Sequence, residues 1–215
     1  MKKLFSLERI SIAIFVVAVI VLAAYSARTH VAIGAAPAAK TLENLQAAFN
    51  GESNANAKYL AFATRADEEG YKKVASLFRA AARAEAIHFA NHAEVIKKMG
   101  GTPTADIKTP EVGTTVENLK AAIAGETYER DTMYPEFLAE AKASRNMDAV
   151  ITFNFAKSAE AEHAKLYTEA LANLESWKAA GTFYVCPKCG YTTSDPNLKS
   201  CPVDRTPKEK FEAIS

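Results

Sequence analysis

The stretch RAEAIHFANHAEV, residues 83–95, places Glu85 three positions before His88. In a helix, side chains three positions apart lie on one face about one turn apart, so this pair can offer an oxygen and a nitrogen to one metal ion. A single pair of this kind is more often solvated than ligating. Its meaning therefore depends on whether other segments supply partners.

A second copy of the motif lies 75 positions further along the chain. The stretch KSAEAEHAKLYTEA, residues 157–170, places Glu160 three positions before His163. The segment TLENLQAAFNGES from Thr41 likewise recurs as TVENLKAAIAGET from Thr115, at an offset of 74. A match this dense indicates an internal duplication. Each half is predicted to be a helical hairpin that begins with its threonine as the N-cap.

Apolar residues at helical spacing predict four helices. We expect them at 41–69, 72–99, 115–143 and 147–178, with breaks at Gly70 and at Arg145-Asn146. Residues 100–114 are rich in Gly, Pro and Thr and predict a linker that can cross the end of a bundle. The fold class is therefore mainly α, a four-helix bundle.

Two further glutamates, Glu52 and Glu126, follow glycine in the middle of the first and third helices, at matching places in the repeat. Two helices with one glutamate and two with Glu-x-x-His form the ligand set of a carboxylate-bridged dimetal site. Such oxygen and imidazole donors suit iron or manganese. Glu129 adds a fifth carboxylate opposite Ala55 of the first half. Burying five carboxylates without metal would require them to take up protons.

Other polar residues share these helix faces. Tyr59 and Tyr134 follow the single glutamates by about two turns, and they either hydrogen-bond to ligands or are ordinary core residues. His92, one turn beyond His88, is predicted to lie beside the site or at the bundle end rather than to ligate. The sequence gives no indication of a functional role for His30.

The C-terminal stretch CPKCGYTTSDPNLKSCPVDRTPKEKF, residues 186–211, contains all three cysteines of the chain. An odd number of clustered cysteines is a poor disulfide framework. Two Cys-Pro-x-x turns predict a metal knuckle with three thiolates and one carboxylate, from Cys186, Cys189, Cys201 and Asp204. Iron is the expected metal, with zinc or an empty site as alternatives.

The N-terminus is a separate element. Lys2 and Lys3 precede an apolar run over residues 10–25, which is typical of an export signal or a membrane anchor. A buried core helix is the alternative. We expect residues 1–40 to form this segment and its linker, the rest of the chain to be periplasmic or otherwise extracytoplasmic, and any membrane contact to run through the segment alone. The formal net charge of +1 gives no reason to expect a nucleic-acid partner.

With these residues in place, the chain resembles the rubrerythrins over residues 41–215. The resemblance rests on NGES around Glu52, AEAIH, AGETYERDTMYPEF, AEAEH and CPKCG. It implies a ferritin-like di-iron bundle over 41–178 and a rubredoxin-like domain over 179–215, usually in a homodimer. In such a dimer the electron path would run from the knuckle of one subunit to the di-iron site of the other.

The resemblance also implies an activity, since rubrerythrins reduce hydrogen peroxide to water at a diferrous site while the rubredoxin iron relays electrons. The motif matches imply these di-iron ligands: Glu52, Glu85, His88, Glu126, Glu129, Glu160 and His163. Tyr59 and Tyr134 match the tyrosines beside the metals, and with Glu129 they are expected to serve catalysis. In the family one iron moves between positions that match His88 and Glu129.

The sequence departs from the family at two points. Asp204 replaces the fourth cysteine, which should shift the reduction potential. Export would separate the protein from the family's cytoplasmic nicotinamide-dependent reductase, so an unidentified extracytoplasmic electron donor is expected. The leading hypothesis is an exported peroxidase. Its rivals are a ferritin-like ferroxidase or iron-binding protein with a structural knuckle, and a bundle that the metals merely stabilise.

Overall fold

The structure is a computed structural model that describes residues 38–215. The apolar run 10–25, His30 and the rest of the predicted export segment up to residue 37 lie outside the described residues. Within residues 38–215, no helix has the length and apolar character needed to cross a membrane.

Long helices dominate the described chain and form the expected four-helix bundle. They are α1 over 38–68, α2 over Lys72–Lys98, α3 over Thr115–Tyr128, α4 over Tyr134–Ala143 and α5 over Met147–Ala172. A π-helical turn over Glu129–Met133 joins α3 and α4 into one continuous rod. The fourth rod ends earlier than predicted, because a 3-10 turn over Leu174–Trp177 follows α5.

The helix starts differ from the predicted ones. Thr114, not Thr115, is the N-cap of α3, and it forms a capping box with Glu117. Thr41 lies inside α1, since that helix already includes residues 38–40. The breaks fall where predicted: Gly70 has a φ of +82° and Arg145, its repeat counterpart, a φ of +55°.

The π-helical turn explains why the repeat offset changes along the chain. Glu52 matches Glu126 at an offset of 74, whereas Tyr59 matches Tyr134 at an offset of 75. The second half therefore holds one extra residue between these positions, and a π turn absorbs one residue more than an α turn. Tyr134, directly after the turn, therefore stays in phase with Tyr59 of the first half.

The linker over 100–114 has no regular structure and runs along α1. The Gln46 side chain donates to the Thr102 carbonyl at 2.6 Å, and the Lys108 backbone N–H donates to Asn54 Oδ1 at 2.8 Å. These bonds hold the long crossover against the outside of the bundle.

The C-terminal residues form a small antiparallel sheet with strand order β2-β1-β3. The strands are β1 over Phe183–Val185, β2 over Thr192–Thr193 and β3 over Glu212–Ile214. The sheet packs on α2 and α5 of the same chain. Arg83 of α2 pairs with Glu212 at 2.6 Å, and Asn91 donates to the Lys188 carbonyl at 3.0 Å. The knuckle is therefore seated on the bundle of its own chain.

Candidate metal centres

The four rods bring six of the predicted ligands into one buried cluster. Each side chain is at most 1% exposed. They are Glu52, Glu85, His88, Glu126, Glu160 and His163. All six face one another because each lies on the side of its helix that is turned to the bundle interior.

Glu85 and Glu160 each reach towards both histidines. Glu85 Oε2 lies 2.8 Å from His88 Nδ1, while its Oε1 lies 3.5 Å from His163 Nδ1. Glu160 mirrors it, with Oε1 at 3.1 Å from His88 Nδ1 and Oε2 at 2.8 Å from His163 Nδ1. Two carboxylates shared in this way define two adjacent ion positions.

Each position has one further carboxylate of its own. Glu52 Oε1 lies 3.8 Å from His88 Nδ1, and Glu126 Oε1 lies 3.7 Å from His163 Nδ1. The result is two groups of four possible ligand atoms, each atom within 4.8 Å of the others of its group. One group contains Glu52 and His88, the other Glu126 and His163, and both contain the shared pair.

The knuckle fixes which nitrogen of each histidine faces the cluster. The Cys189 carbonyl lies 3.0 Å from His88 Nε2 and can only accept a proton there. The Thr192 hydroxyl donates to the Gly190 carbonyl, so at 3.1 Å it accepts from His163 Nε2. When the rings are neutral, both Nδ1 atoms therefore carry the lone pair and direct it at the carboxylates, as in metal-bound histidines.

The donor set fits a pair of cations. Oxygen atoms of Glu52, Glu85, Glu126 and Glu160, together with His163 Nδ1, have no hydrogen-bond partner among the described residues. Buried polar atoms normally have partners, and buried charges are paired or bind metals. The pattern of carboxylates and imidazoles matches iron or manganese.

Without metal, the cluster would hold protons instead. Burial, reinforced by Glu160, raises the pKa of Glu126 to about 8. Burial alone would lower the pKa of His88, but the negative charges of Glu160 and Glu85 raise it to about 10. Cations would displace these protons, so metal binding releases protons at neutral pH.

Two tyrosines hold the terminal carboxylates. Tyr59 Oη donates to Glu126 Oε1 at 2.5 Å, and Tyr134 Oη donates to Glu52 Oε1. Each tyrosine therefore reaches across to the glutamate of the other half. The structure thus favours the ligand-bonding interpretation of the two tyrosines over that of ordinary core residues.

Glu129 lies on the π-helical turn and is half-buried. Among the described residues it belongs to neither ligand group. Burial and the charge of Glu160 raise its pKa, so it faces the same electrostatic field as the ligands. In this structure the ligand group that contains Glu52 also contains His88, and Glu129 is not a member of it.

The knuckle gathers its four predicted ligands as well. Cys189 Sγ lies 3.4 Å from Cys201 Sγ, and Cys186 Sγ lies 3.4 Å from the nearer Asp204 oxygen. Tetrahedral ligands about 2.3 Å from a metal would be about 3.8 Å apart. The three sulfurs are fully buried, whereas Asp204 is partly exposed and also accepts from the Thr206 N–H at 2.8 Å.

His92 lies beside the ligand cluster and not in it, as predicted: it is fully buried, with Nε2 3.2 Å from Tyr134 Oη and Nδ1 2.9 Å from Thr152 Oγ1. The sequence does not indicate the roles of Thr152 and Thr192. Aligning the two halves at an offset of 75 would have drawn attention to Thr152, whose counterpart is Leu77.

Comparison with known proteins agrees with this geometry. The rubrerythrin family model matches residues 43–171. Nigerythrin of Nitratidesulfovibrio vulgaris is 39% identical over 80% of this chain and 86% of its own, and rubrerythrin-2 of Clostridium acetobutylicum is 36% identical over 82% and 97%. A nigerythrin structure described as fully reduced and all ferrous aligns with a TM-score of 0.77 at 38% identity, covering 80% of this chain and 86% of that one.

Proposed function

The chain belongs to the rubrerythrin family, and we propose that it is a di-iron peroxidase that reduces hydrogen peroxide to water with electrons relayed by its knuckle. One observation carries the proposal: Glu85 and Glu160 are shared between two four-ligand groups. A second observation supports the electron supply: the Cys189 carbonyl of the knuckle accepts from Nε2 of His88, a member of one group. The first feature supports a two-metal reaction, and the second supports repeated turnover with an electron supply.

The protein's own groups prepare the site for this reaction. When bound, two ferrous ions would supply the two electrons that cleave the O–O bond. The shared glutamates hold the positions of the ions, while Tyr59 and Tyr134 fix the orientation of the terminal carboxylates. Complete burial of the ligands keeps bulk water from competing with peroxide.

Glu129 is proposed to act as a movable carboxylate. It lies next to the ligand groups without belonging to either, on a helical turn that is irregular. An additional negative charge near the ions favours their more oxidised form. Exchange of Glu129 with His88 during turnover is therefore consistent with both the family pattern and this geometry.

The knuckle is proposed to deliver electrons through a short covalent and hydrogen-bonded path. Cys189 is a knuckle ligand, and its carbonyl accepts from His88 Nε2 at 3.0 Å. The path runs through the side chain and carbonyl of Cys189, one hydrogen bond and the imidazole ring of His88. Iron in the three-thiolate, one-carboxylate site would be redox-active, whereas zinc there would make the knuckle structural.

We also propose an extracytoplasmic location, supported by Lys2, Lys3 and the apolar run over residues 10–25. The electron donor would then be an extracytoplasmic protein. A homodimer is proposed from the family resemblance. Cell fractionation with N-terminal sequencing tests the location, and light scattering of the purified protein tests the assembly.

The decisive experiment is steady-state peroxide consumption by protein purified without oxygen from iron-replete cells. With an excess of a chemical reductant, a peroxidase consumes many equivalents of peroxide per chain. An iron-binding protein would stop after about one reaction per iron loaded. Elemental analysis in parallel should give three irons per chain, while two irons with zinc would support a structural knuckle and contradict the relay.

A further inference from the structure

A chain of hydrogen bonds leads from a ligand of the bundle centre towards the surface. Tyr134 Oη donates to Glu52, His92 Nε2 lies 3.2 Å from Tyr134 Oη, and Thr152 Oγ1 lies 2.9 Å from His92 Nδ1. Tyr134, His92 and Thr152 are each at most 4% exposed. The chain therefore crosses the packed interior between α2, α4 and α5.

The protons of this chain can be assigned from valence. Tyr134 gives its only proton to the Glu52 carboxylate, so it accepts from an N–H at His92 Nε2. His92 Nδ1 then carries the lone pair and accepts the Thr152 hydroxyl proton. Burial, together with the neighbouring His88, lowers the pKa of His92 to about 3, which keeps the ring neutral. Every donor in the chain points towards Glu52.

The outer end of the chain meets a pocket. Thr152 lines a cavity of about 280 Å³ between α2, α5 and the knuckle. Its other polar lining residues are Asn91, Glu94, Lys98, Asp148 and Lys188. The pocket opens to the surface, and its charged and amide side chains can hold water there. These waters can supply protons to the Thr152 hydroxyl.

The other half of the bundle lacks such a chain. At the repeat offset of 75, Tyr167 takes the place of His92 and Leu77 takes the place of Thr152. The Tyr167 hydroxyl makes no hydrogen bond among the described residues, and its ring packs on Tyr59 and Phe78. The two halves have matching ligands and matching tyrosines. The replacement of His92 by Tyr167 and of Thr152 by Leu77 therefore explains why only one half has the hydrogen-bonded chain.

We propose that Thr152, His92 and Tyr134 form a proton-conducting chain that delivers protons from the surface pocket to the Glu52 side of the bundle centre. The inference rests on the proposed peroxidase function, in which one hydrogen peroxide, two electrons and two protons give two water molecules. One shift of the chain passes the Tyr134 proton to Glu52, the His92 proton to Tyr134, the Thr152 proton to His92 and a pocket-water proton to Thr152. The hydrogen-bonded chain returns to its starting arrangement of donors and acceptors when the imidazole and hydroxyl groups reorient.

The test uses the full chain and two substitutions at one position. Thr152→Val removes the hydroxyl with little change in shape, and Thr152→Ser restores it. We expect Thr152→Val to lower kcat for peroxide about 10-fold or more, towards the roughly 100-fold scale of general acid–base effects, with little change in KM. Thr152→Ser should recover most of the rate. Tyr167→Phe, in the matching place of the other half, should leave the rate unchanged.

A second measurement does not depend on peroxide chemistry. In the full chain loaded with zinc in place of iron, ¹⁵N-edited NMR follows deuterium exchange at His92 Nε2. Thr152→Val should slow this exchange by a factor similar to that on kcat, and Thr152→Ser should restore it. Unchanged exchange together with unchanged kcat in Thr152→Val overturns the proposal. Slowed exchange in a chain without steady peroxide turnover would retain the proton path and reject the peroxidase function.

Discussion

The two metal centres of this protein are built on opposite principles. The bundle centre takes its ligands from four helices, each ligand has a counterpart in the other half, and each is at most 1% exposed. The knuckle takes its ligands from two turns, and one of them, Asp204, is partly exposed. Where ligands are shared and buried, a change at one position affects the entire site. Where a ligand lies at an exposed corner, it can be replaced while the fold persists.

The largest effect is expected when a ligand shared by the two groups of the bundle centre is altered. Glu160→Gln removes the negative charge that both groups share and replaces one of the two oxygen ligands by an NH2 group. Since loss of a partner that merely orients a ligand costs about 10- to 100-fold, loss of a shared ligand should lower peroxidase activity about 100-fold or more. Bundle iron per chain should fall as well. Glu162→Gln on the same helix is the control, and equal iron content and activity in both variants would refute the prediction.

The contact between the centres gives the next largest effect. A Cβ on Gly190 would lie 2.3 Å from His88 Nε2, and Gly190 has a φ of +77°. Gly190→Ala should therefore push the knuckle away from His88 and slow electron delivery about 10-fold or more, on the scale that small misplacements reach. Rapid-mixing reoxidation of the pre-reduced bundle centre should be less affected than steady turnover. Gly51→Ala, whose Cβ would meet nothing within 4 Å, is the control.

Removing the metal should make the stability of the bundle depend on pH. In the metal-free chain the pKa of Glu126 is raised to about 8 and that of His88 to about 10. Between pH 6.5 and 8 the folded state thus binds more protons than the unfolded state, so the free energy of unfolding falls as pH rises. Each group contributes up to about 1.4 kcal/mol per pH unit.

The lowered pKa of His92 makes the free energy of unfolding rise with pH. This effect is confined to pH values below 6.5 and lies outside the window. Thermal unfolding of metal-free and iron-loaded protein at several pH values measures the effect. The loaded protein should show little pH dependence over the same window, because cations replace the protons. A metal-free chain that becomes more stable towards pH 8 would contradict the electrostatic description of the cluster.

The smallest effect is expected at the exposed corner of the knuckle. Asp204→Cys would complete a four-thiolate site, which binds soft metals more tightly than three thiolates and a carboxylate. Release of the knuckle metal to a chelator should be slower in Asp204→Cys and faster in Asp204→Ala. Bundle iron should stay the same in both variants. A loss of bundle iron would show that the two centres are structurally interdependent.

Sequence reasoning succeeded where a residue's neighbours are set by helical period. The Glu-x-x-His pairs, Glu52 and Glu126 repeat at regular offsets, so their convergence could be predicted before any coordinates. The knuckle ligands were equally visible, because Cys-Pro-x-x turns dictate their own local geometry.

Contacts between elements without a shared period could not be predicted. The Cys189 carbonyl contacts His88, the Thr192 hydroxyl contacts His163, and both contacts join the knuckle to the bundle. Every residue has a backbone carbonyl, and Thr192 belongs to no repeat, so the sequence does not indicate either contact. Thr114 and not Thr115 is the N-cap of α3, because the Thr114 side chain is the one that accepts from the Glu117 N–H. The sequence offers two adjacent threonines and does not distinguish them. The shift in repeat offset from 74 to 75 was visible, but its physical form as a π turn was not.

That single extra residue has a wider consequence. An exact duplication would have enclosed the two ion positions in a cage with twofold symmetry, whose two ends are chemically identical. The π turn carries a fifth carboxylate at one end of the cage, and no equivalent exists at the other. A molecule that is itself symmetric, such as hydrogen peroxide, would meet two unlike ends there. Its two oxygen atoms would then become distinguishable on arrival, before any bond is broken.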